Sequence, residues 1–252
     1  MEYGRLLKAS FNNVISNIIP YGLATLILTF GSMLVITGPP LLYGFILMLA
    51  KGANHEDVWV SDMLDGFRSG NFVRSWIYAL FLLAVVVLFL IVWAVLYVLL
   101  GISIVIFLTS IGMILPEPLT IALMVLISIA IACIVSIPAI FLLFVLPLFV
   151  IRGCRITDAL SESILLVKDN FVTSTILCII IAFIALAGVL PYYAGLFLQW
   201  PMALNLSVYI IGVFLTMPLS QQILVNAAIG LISGGSPGPS FIKRNDLHEI
   251  EA

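Results

Sequence analysis

The chain has 252 residues, of which 63% are hydrophobic and only 9% are charged, and its formal net charge is −2. A soluble domain of this length would carry about 25% charged residues, so the composition excludes an ordinary soluble globular protein. The small net charge gives no indication of a nucleic-acid partner. The three cysteines, Cys133, Cys154 and Cys178, have no CxxC spacing and predict neither a disulfide framework nor a metal site.

Apolar runs of 18 or more residues follow one another along the chain, which is the pattern of membrane-spanning helices. The sequence therefore predicts an all-α, polytopic transmembrane bundle of six spans, at roughly 16–37, 39–51, 74–98, 119–150, 171–190 and 203–232. Residues 101–115 are expected to form an outer-face or re-entrant extension. If that stretch crosses the membrane and Pro138 divides the run around it, the number of spans is eight. Residues 1–232 are predicted as one membrane domain and 233–252 as a flexible cytoplasmic tail.

Four of the prolines in or between these apolar runs are predicted to mark breaks or kinks. Pro39 and Pro40 separate the first two predicted spans, Pro138 lies within the fourth, and Pro218 lies within the last. Proline lacks a backbone N–H and its ring clashes with the preceding helical turn, so each is predicted to break or kink a helix. The second predicted span is short for a hydrocarbon core about 30 Å thick and would need local thinning or help from its flanks.

The basic residues predict the orientation of the chain. All ten fall in four clusters, and none lies near residue 38, within 97–118 or within 191–202. The clusters comprise Arg5 and Lys8; Lys51, Arg68 and Arg74; Arg152, Arg155 and Lys168; and Lys243 and Arg244. Because Lys and Arg are retained on the cytoplasmic side of a membrane, we expect both termini in the cytoplasm, an even number of spans, and a location in the cell membrane.

Three polar segments that precede spans are amphipathic at helical spacing. They cover roughly residues 2–18, 54–70 and 156–168, and each has apolar side chains on one face and charged or polar side chains on the other. Such segments are predicted to lie as helices in the cytoplasmic interface before the chain enters the bilayer.

A seven-residue motif occurs twice at the ends of these segments. NFVRSWI begins at Asn71 and NFVTSTI begins at Asn170, and five of the seven residues agree. Both copies stand where an amphipathic helix is predicted to turn into a span. We expect Asn71 and Asn170 to cap or hydrogen-bond this turn, and Phe72 and Phe171 to enter the apolar region.

Other features repeat at a similar distance. Pro39 and Pro138 are 99 residues apart, as are Asn71 and Asn170, and two short apolar runs are closed by Lys51-Gly52 and Arg152-Gly153. A parallel internal duplication explains these matches. The alternative is that any junction between an amphipathic helix and a span favours Asn, Phe and Ser.

The interiors of the predicted spans contain no Asp, Glu, Lys, Arg or His. Proton relays, ion-coupled pumps and intramembrane proteases need such groups, so these classes are disfavoured. The remaining polar candidates are Asn205, Gln221, Gln222 and Asn226. Gln222 and Asn226 share a helix face with Pro218, so they form a polar stripe that is either a solute pathway or a set of interhelical hydrogen bonds worth about 1 kcal/mol each.

Two stretches of sequence resemble a known group of membrane proteins. They are GPPLLYGFILMLAKG with the following DMLDGF, and LPLFVIRGCRITDALSESILLVKDNF, in which Pro147, Ala159, Leu160, Ser163 and Asn170 match a recurring signature. The group comprises bacterial and archaeal multi-pass proteins and includes the membrane domain of glycerophosphoryl diester phosphodiesterases. The resemblance covers about residues 1–230 and implies a six-helix membrane module with no assigned reaction. The phosphodiesterase catalytic domain has no counterpart here, so its activity does not transfer.

Catalytic motifs such as a Walker loop, GxSxG or HExxH do not occur. The densest set of metal-ligand residues runs from His55 to Asp65, but one helix face rarely supplies converging oxygens, so no metal or other cofactor is predicted. We therefore expect a non-enzymatic membrane module that is accessory to a transport or envelope system through membrane or cytoplasmic protein partners.

A permease or exporter for an uncharged or apolar solute is the first alternative to this function, and a metal-dependent lipid-modifying enzyme is the least favoured. The oligomeric state is open.

Overall fold

A computed structural model describes residues 3–110 and 116–232, and every regular element in these ranges is a helix. The α-helices are α1 Tyr3–Ser16, α2 Ile18–Gly31, α3 Gly38–Ala53, α4 Ser69–Ser110, α5 Glu117–Ser136, α6 Val145–Arg152, α7 Ile156–Asp169, α8 Phe171–Phe197 and α9 Met202–Ile232. Two 3₁₀ segments occur at Val60–Phe67, called here the acidic 3₁₀ segment because it contains Asp62 and Asp65, and at Ile137–Leu142. The predicted all-α class is confirmed.

Among residues 3–110 and 116–232, four helical stretches are long and apolar enough to cross a membrane, namely Ser69–Leu108, Pro118–Arg152, Phe171–Phe197 and Met202–Ile232. Helices α1 and α2 meet at 85° and give a fifth stretch if they are taken as one broken span. The structure thus confirms a helical protein with several membrane-length apolar helices, and six spans are not confirmed. Residues 101–110 continue α4 without a break, whereas 111–115 and the predicted tail 233–252 lie outside the described residues.

The first two predicted spans form a pair of short antiparallel helices. At 1.5 Å per residue, α2 and α3 are about 21 and 24 Å long, because they contain 14 and 16 residues. The two helices are antiparallel, because the C-terminal end of each lies against the N-terminal end of the other. A Cβ atom at Gly52 would overlap the Tyr21 hydroxyl, and one at Gly31 would overlap the Leu41 side chain.

The predicted proline breaks have different outcomes. Pro39 and Pro40 lie in the first turn of α3, where a backbone N–H would have no partner within the helix. They therefore mark the start of α3 and do not kink it. Pro138 follows the end of α5 and lies in the second 3₁₀ segment. Pro218 is buried inside α9, which runs on to Ile232. Proline is tolerated there because neighbouring groups can satisfy the freed carbonyl.

The described chain divides into two compact units, one formed by the residues up to Tyr78 together with those from Leu143, and one by Ala79–Leu142. The prediction of one membrane domain stays a prediction. In the first unit the core is centred on α3, which packs against α2, α6, α9 and the acidic 3₁₀ segment. Glycine permits the closest of these contacts, because a Cβ atom at Gly44 would overlap the Met63 carbonyl oxygen and one at Gly66 would overlap that of Pro40.

Helices α8 and α9 form a second close pair in the same unit. A Cβ atom at Gly212 would overlap the Gly188 carbonyl oxygen, and one at Gly188 would overlap the Thr216 hydroxyl. Small residues at such positions let two membrane helices approach backbone to backbone. In the other unit, α4 packs against α5 through Trp93, whose Nε1 donates to the Ser128 carbonyl at 3.4 Å and whose ring stacks on Tyr97.

Candidate functional site

The predicted polar stripe of α9 is turned toward the protein and links three helices. Gln222 is fully buried, and its Nε2 donates to the Leu49 carbonyl of α3 at 3.3 Å and to Asn226 Oδ1 at 3.0 Å. Asn226 Nδ2 donates in turn to the hydroxyl of Ser10 on α1 at 2.8 Å. The arrangement joins α1, α3 and α9 by hydrogen bonds between side chains and backbone, as expected of polar groups that hold a helix bundle together.

Sequence reasoning missed Ser10, which is fully buried and completes this chain of hydrogen bonds. The available signal was its position. Ser10 lies four residues before buried Val14 and hence on the inward face of α1. A small polar residue on an apolar helix face often marks a close contact with another helix.

Gln221, the neighbour of Gln222, points in a different direction. It lines a groove of about 360 Å³ formed by α2, α8 and α9, called here the α2–α8–α9 groove. Successive residues of an α-helix are about 100° apart around its axis, so two adjacent glutamines reach different surroundings. The structure thus separates the four predicted polar residues, and only Gln222 and Asn226 contact each other.

Asn205 lies apart from both groups, near the turn between α8 and α9. Its side chain is buried and its Oδ1 stands against Gly195, where a Cβ atom would overlap it. The Trp200 backbone N–H donates to the Gly195 carbonyl at 2.9 Å and closes the same turn. Asn205 is therefore placed at a helix–helix junction.

The two asparagines of the repeated motif make corresponding hydrogen bonds. Asn71 Nδ2 donates to the Asp65 carbonyl at 2.9 Å, and Asn170 Nδ2 donates to the Leu166 carbonyl at 3.2 Å. Each amide thus satisfies a carbonyl of the amphipathic element that precedes it. Phe171 is 43% exposed, and Phe72 is partly buried.

Arg74, which sequence reasoning used only as an indicator of orientation, binds the end of α6. One of its terminal nitrogens, Nη2, donates to the Phe149 carbonyl at 2.9 Å and to the Cys154 carbonyl at 3.1 Å. The guanidinium also lies over the Phe149 ring at 4.8 Å and near the Tyr43 ring at 6.0 Å. A cation at a helix C-terminus stabilises the unpaired carbonyls there, and the aromatic faces add a cation–π attraction.

Ion pairs engage several charged groups of the amphipathic segments. Lys51 Nζ lies 2.6 Å from Asp62 Oδ1 and 3.9 Å from Asp65 Oδ2, and Arg68 lies 3.1 Å from Asp65. Asp62 also accepts a hydrogen bond from the Trp59 N–H at 2.8 Å. Within residues 3–110 and 116–232, no three His, Cys, Asp or Glu side chains are grouped in a way that could hold a metal ion.

The third amphipathic segment, residues 156–168, repeats this pairing. Arg152, at the end of α6, forms an ion pair with Glu162 of α7. Cys154 lies between the two helices, and burial raises the pKa of its thiol above the usual range. A basic residue that ends a short helix is thus paired with an acidic residue of the following amphipathic element in both halves of the chain.

In comparisons with known proteins, no family model, curated protein or solved structure matches the chain. The resemblance to multi-pass membrane domains stays a prediction.

Proposed function

We propose that this protein is a non-enzymatic membrane module that acts through protein partners as an accessory to a transport or envelope system. The observation that carries the proposal is the series of hydrogen bonds from Gln222 to Asn226 and from Asn226 to Ser10. The side chains best suited to line a solute pathway are thereby used in contacts between helices. The carboxylates Asp62 and Glu162 are likewise engaged by Lys51 and Arg152. The groups that best suited transport or metal chemistry therefore serve to assemble the bundle.

The proposed topology has four spans, formed by α4, by α5 with the segment leading to α6, by α8 and by α9. Helices α2 and α3 form a hairpin held at the cytoplasmic side without crossing. This arrangement keeps the even number of spans and both termini in the cytoplasm. In support, Ser10 of α1 contacts Asn226, six residues before the end of α9, so the first and last helices meet at one end of the unit.

Charged residues at both ends of α3 support this hairpin. Lys51 lies in the last turn of α3, and the acidic 3₁₀ segment runs back along the helix until Gly66 contacts Pro40. Arg68 follows Gly66 by two residues and so lies near the start of α3. If α3 crossed the bilayer, Lys51 and Arg68 would lie near opposite membrane faces, contrary to the retention of basic residues on the cytoplasmic side. An α3 near the cytoplasmic surface keeps both basic residues in the same polar interface.

The turn between α2 and α3 supports the same placement. Met33, Leu34, Val35 and Ile36 are 66–75% exposed. In a turn that reached the outer aqueous phase, these four side chains would face water. Inserted among the acyl chains of the cytoplasmic leaflet, they would be buried in lipid.

Labelling with a membrane-impermeant maleimide on intact cells tests the topology. Val35→Cys, Gln199→Cys and Glu56→Cys are introduced singly after Cys133, Cys154 and Cys178 are replaced by Ser. Four spans predict labelling of Gln199→Cys alone, with Glu56→Cys labelled only after permeabilisation. Labelling of Val35→Cys from outside would instead support six spans and overturn the hairpin placement.

An internal duplication is part of the proposal. In each half an apolar helix is followed by a short helix ending in a basic residue and glycine, an amphipathic element, and a long apolar helix. The ion pairs Lys51–Asp62 and Arg152–Glu162 and the asparagine side chains at the two junctions correspond in the same order. Such agreement in contacts is stronger support than the seven-residue motif alone.

Extraction in a mild detergent tests the role. A partner protein that co-purifies in a fixed ratio, and is lost when the polar faces of α1 and α7 are neutralised, is the expected result. A monodisperse monomer under the same conditions would count against the proposal.

A permease for an uncharged solute is the second candidate, and the α2–α8–α9 groove with Gln221 favours it. The two functions differ in their response to substitution. Replacing Gln221 with Leu should abolish solute flux if the groove is a pathway, whereas replacing Gln222 and Asn226 with Leu should only lower stability if they are packing contacts.

A further inference from the structure

The α2–α8–α9 groove is mostly apolar in surface, but six of its eleven lining residues carry a polar group and none of the described residues that line it is charged. Its volume of about 360 Å³ is at the small end of the range for ligand sites, about 300–1,000 Å³. The polar lining residues come from the end of α2 and from α9 and are Thr29, Ser32, Tyr209, Thr216, Ser220 and Gln221.

Four of these residues present hydrogen-bond acceptors to the groove. The hydroxyl groups of Thr29, Ser32, Thr216 and Ser220 each donate to a carbonyl three or four residues earlier in the same helix, at 2.8–3.0 Å. Because a hydroxyl has one proton and two lone pairs, the lone pairs stay available once the proton is committed. The groove therefore favours a ligand that donates hydrogen bonds.

Gln221 supplies the complementary donors. Its side-chain amide makes no hydrogen bond with any other described residue, although it is only partly exposed in a helix of membrane-spanning length. Hydrocarbon offers an amide no hydrogen-bond partner, so such a group is stabilised by whatever polar molecule reaches it. Its two N–H groups suit a carbonyl oxygen of the ligand.

We propose that the α2–α8–α9 groove binds an uncharged lipid of the diacylglycerol type, with a free hydroxyl and ester carbonyls. The free hydroxyl donates to the Thr and Ser oxygens, and an ester carbonyl accepts from Gln221. The groove holds the glycerol head and the first part of the chains, and the chains continue into the bilayer. A charged headgroup is disfavoured because no opposite charge lies in the lining.

Native mass spectrometry of the full chain in detergent, titrated with 1,2-dioctanoylglycerol, tests this site. One molecule should bind per chain, and Gln221→Leu should weaken binding about tenfold through the lost hydrogen bonds. Ala185→Phe, which fills the groove without removing a polar group, should weaken binding at least as much. Ala187→Phe is the matched control, since Ala187 is an exposed alanine of the same helix that does not line the groove.

Three outcomes would overturn the proposal. Dioctanoyl phosphatidic acid has the same chains with a charged headgroup, and binding as tight as that of dioctanoylglycerol would exclude selection for a neutral head. Equal binding of dioctanoylglycerol to wild type, Gln221→Leu and Ala185→Phe would exclude the groove. A change from dimer to monomer in Gln221→Leu, with dioctanoylglycerol binding unchanged, would show that the partner of the amide is a second copy of the chain.

Discussion

Replacing Gly44 with Ala should separate the acidic 3₁₀ segment from α3. The added Cβ atom would overlap the carbonyl oxygen of Met63, which belongs to backbone and cannot move aside like the end of a side chain. Helix propensity alone would make the change favourable by about 1 kcal/mol. Overpacking in a close contact costs about 1–3 kcal/mol, and more where backbone must shift. We therefore expect a net destabilisation of about 2 kcal/mol.

Gly70→Ala is the matched control, since Gly70 is also helical and has no atom within 4 Å of the added Cβ. Thermal unfolding in detergent should show a midpoint about 4–8 °C below wild type for Gly44→Ala and no loss for Gly70→Ala. Limited proteolysis should also cleave residues 54–68 faster in Gly44→Ala, because that segment loses its support. Equal stability and equal cleavage of the two variants would refute the close contact between α3 and this segment.

Three further changes have defined outcomes. Lys51→Met should lower the free energy of unfolding by about 0.5–1 kcal/mol, because it leaves the mostly buried Asp62 carboxylate without its cation. The charge-exchanged double variant Lys51→Asp with Asp62→Lys should recover part of this loss, measured by thermal unfolding. In a variant with Cys154 as its only cysteine, the alkylation rate of Cys154 should reach half its maximum at a higher pH than the alkylation rate of free cysteine does, since burial raises the pKa of the thiol. A half-maximum at a lower pH than for free cysteine would contradict this prediction. Gly212→Ala should destabilise the pairing of α8 with α9, because its Cβ would overlap the Gly188 carbonyl, and unchanged stability would argue against that approach.

Local sequence was enough to predict the helical membrane class and the clustering of basic residues, since both depend on composition and on the spacing of apolar side chains. The structure adds that the side-chain amides of Asn71 and Asn170 each donate to a carbonyl of the preceding amphipathic element, because an amide at a helix end finds a carbonyl within a few residues. These features need no knowledge of distant contacts.

Hydropathy alone cannot distinguish a membrane-spanning helix from a helix packed against the rest of the protein in the first two apolar runs. An apolar stretch has the same hydropathy whether it faces lipid or another helix, so α2 and α3 were predicted as spans from their composition. The shortness of the second run and its basic flanks are visible in the sequence, but the antiparallel packing of α2 against α3 is seen only in the contacts of Gly31 and Gly52.

Tertiary structure also decided the meaning of the polar residues. Gln221 and Gln222 are identical neighbours in the sequence, yet one lines a groove and the other bonds Leu49, which is 173 residues away along the chain. The partners of Arg74 are carbonyls of α6 and the loop after it, 75 and 80 residues distant. The sequence by itself determined that this chain belongs with membrane-spanning helical proteins and where its charges cluster. Which polar groups bind one another, and which are left to bind something else, depends on distances between helices, and those are fixed only when the helices pack.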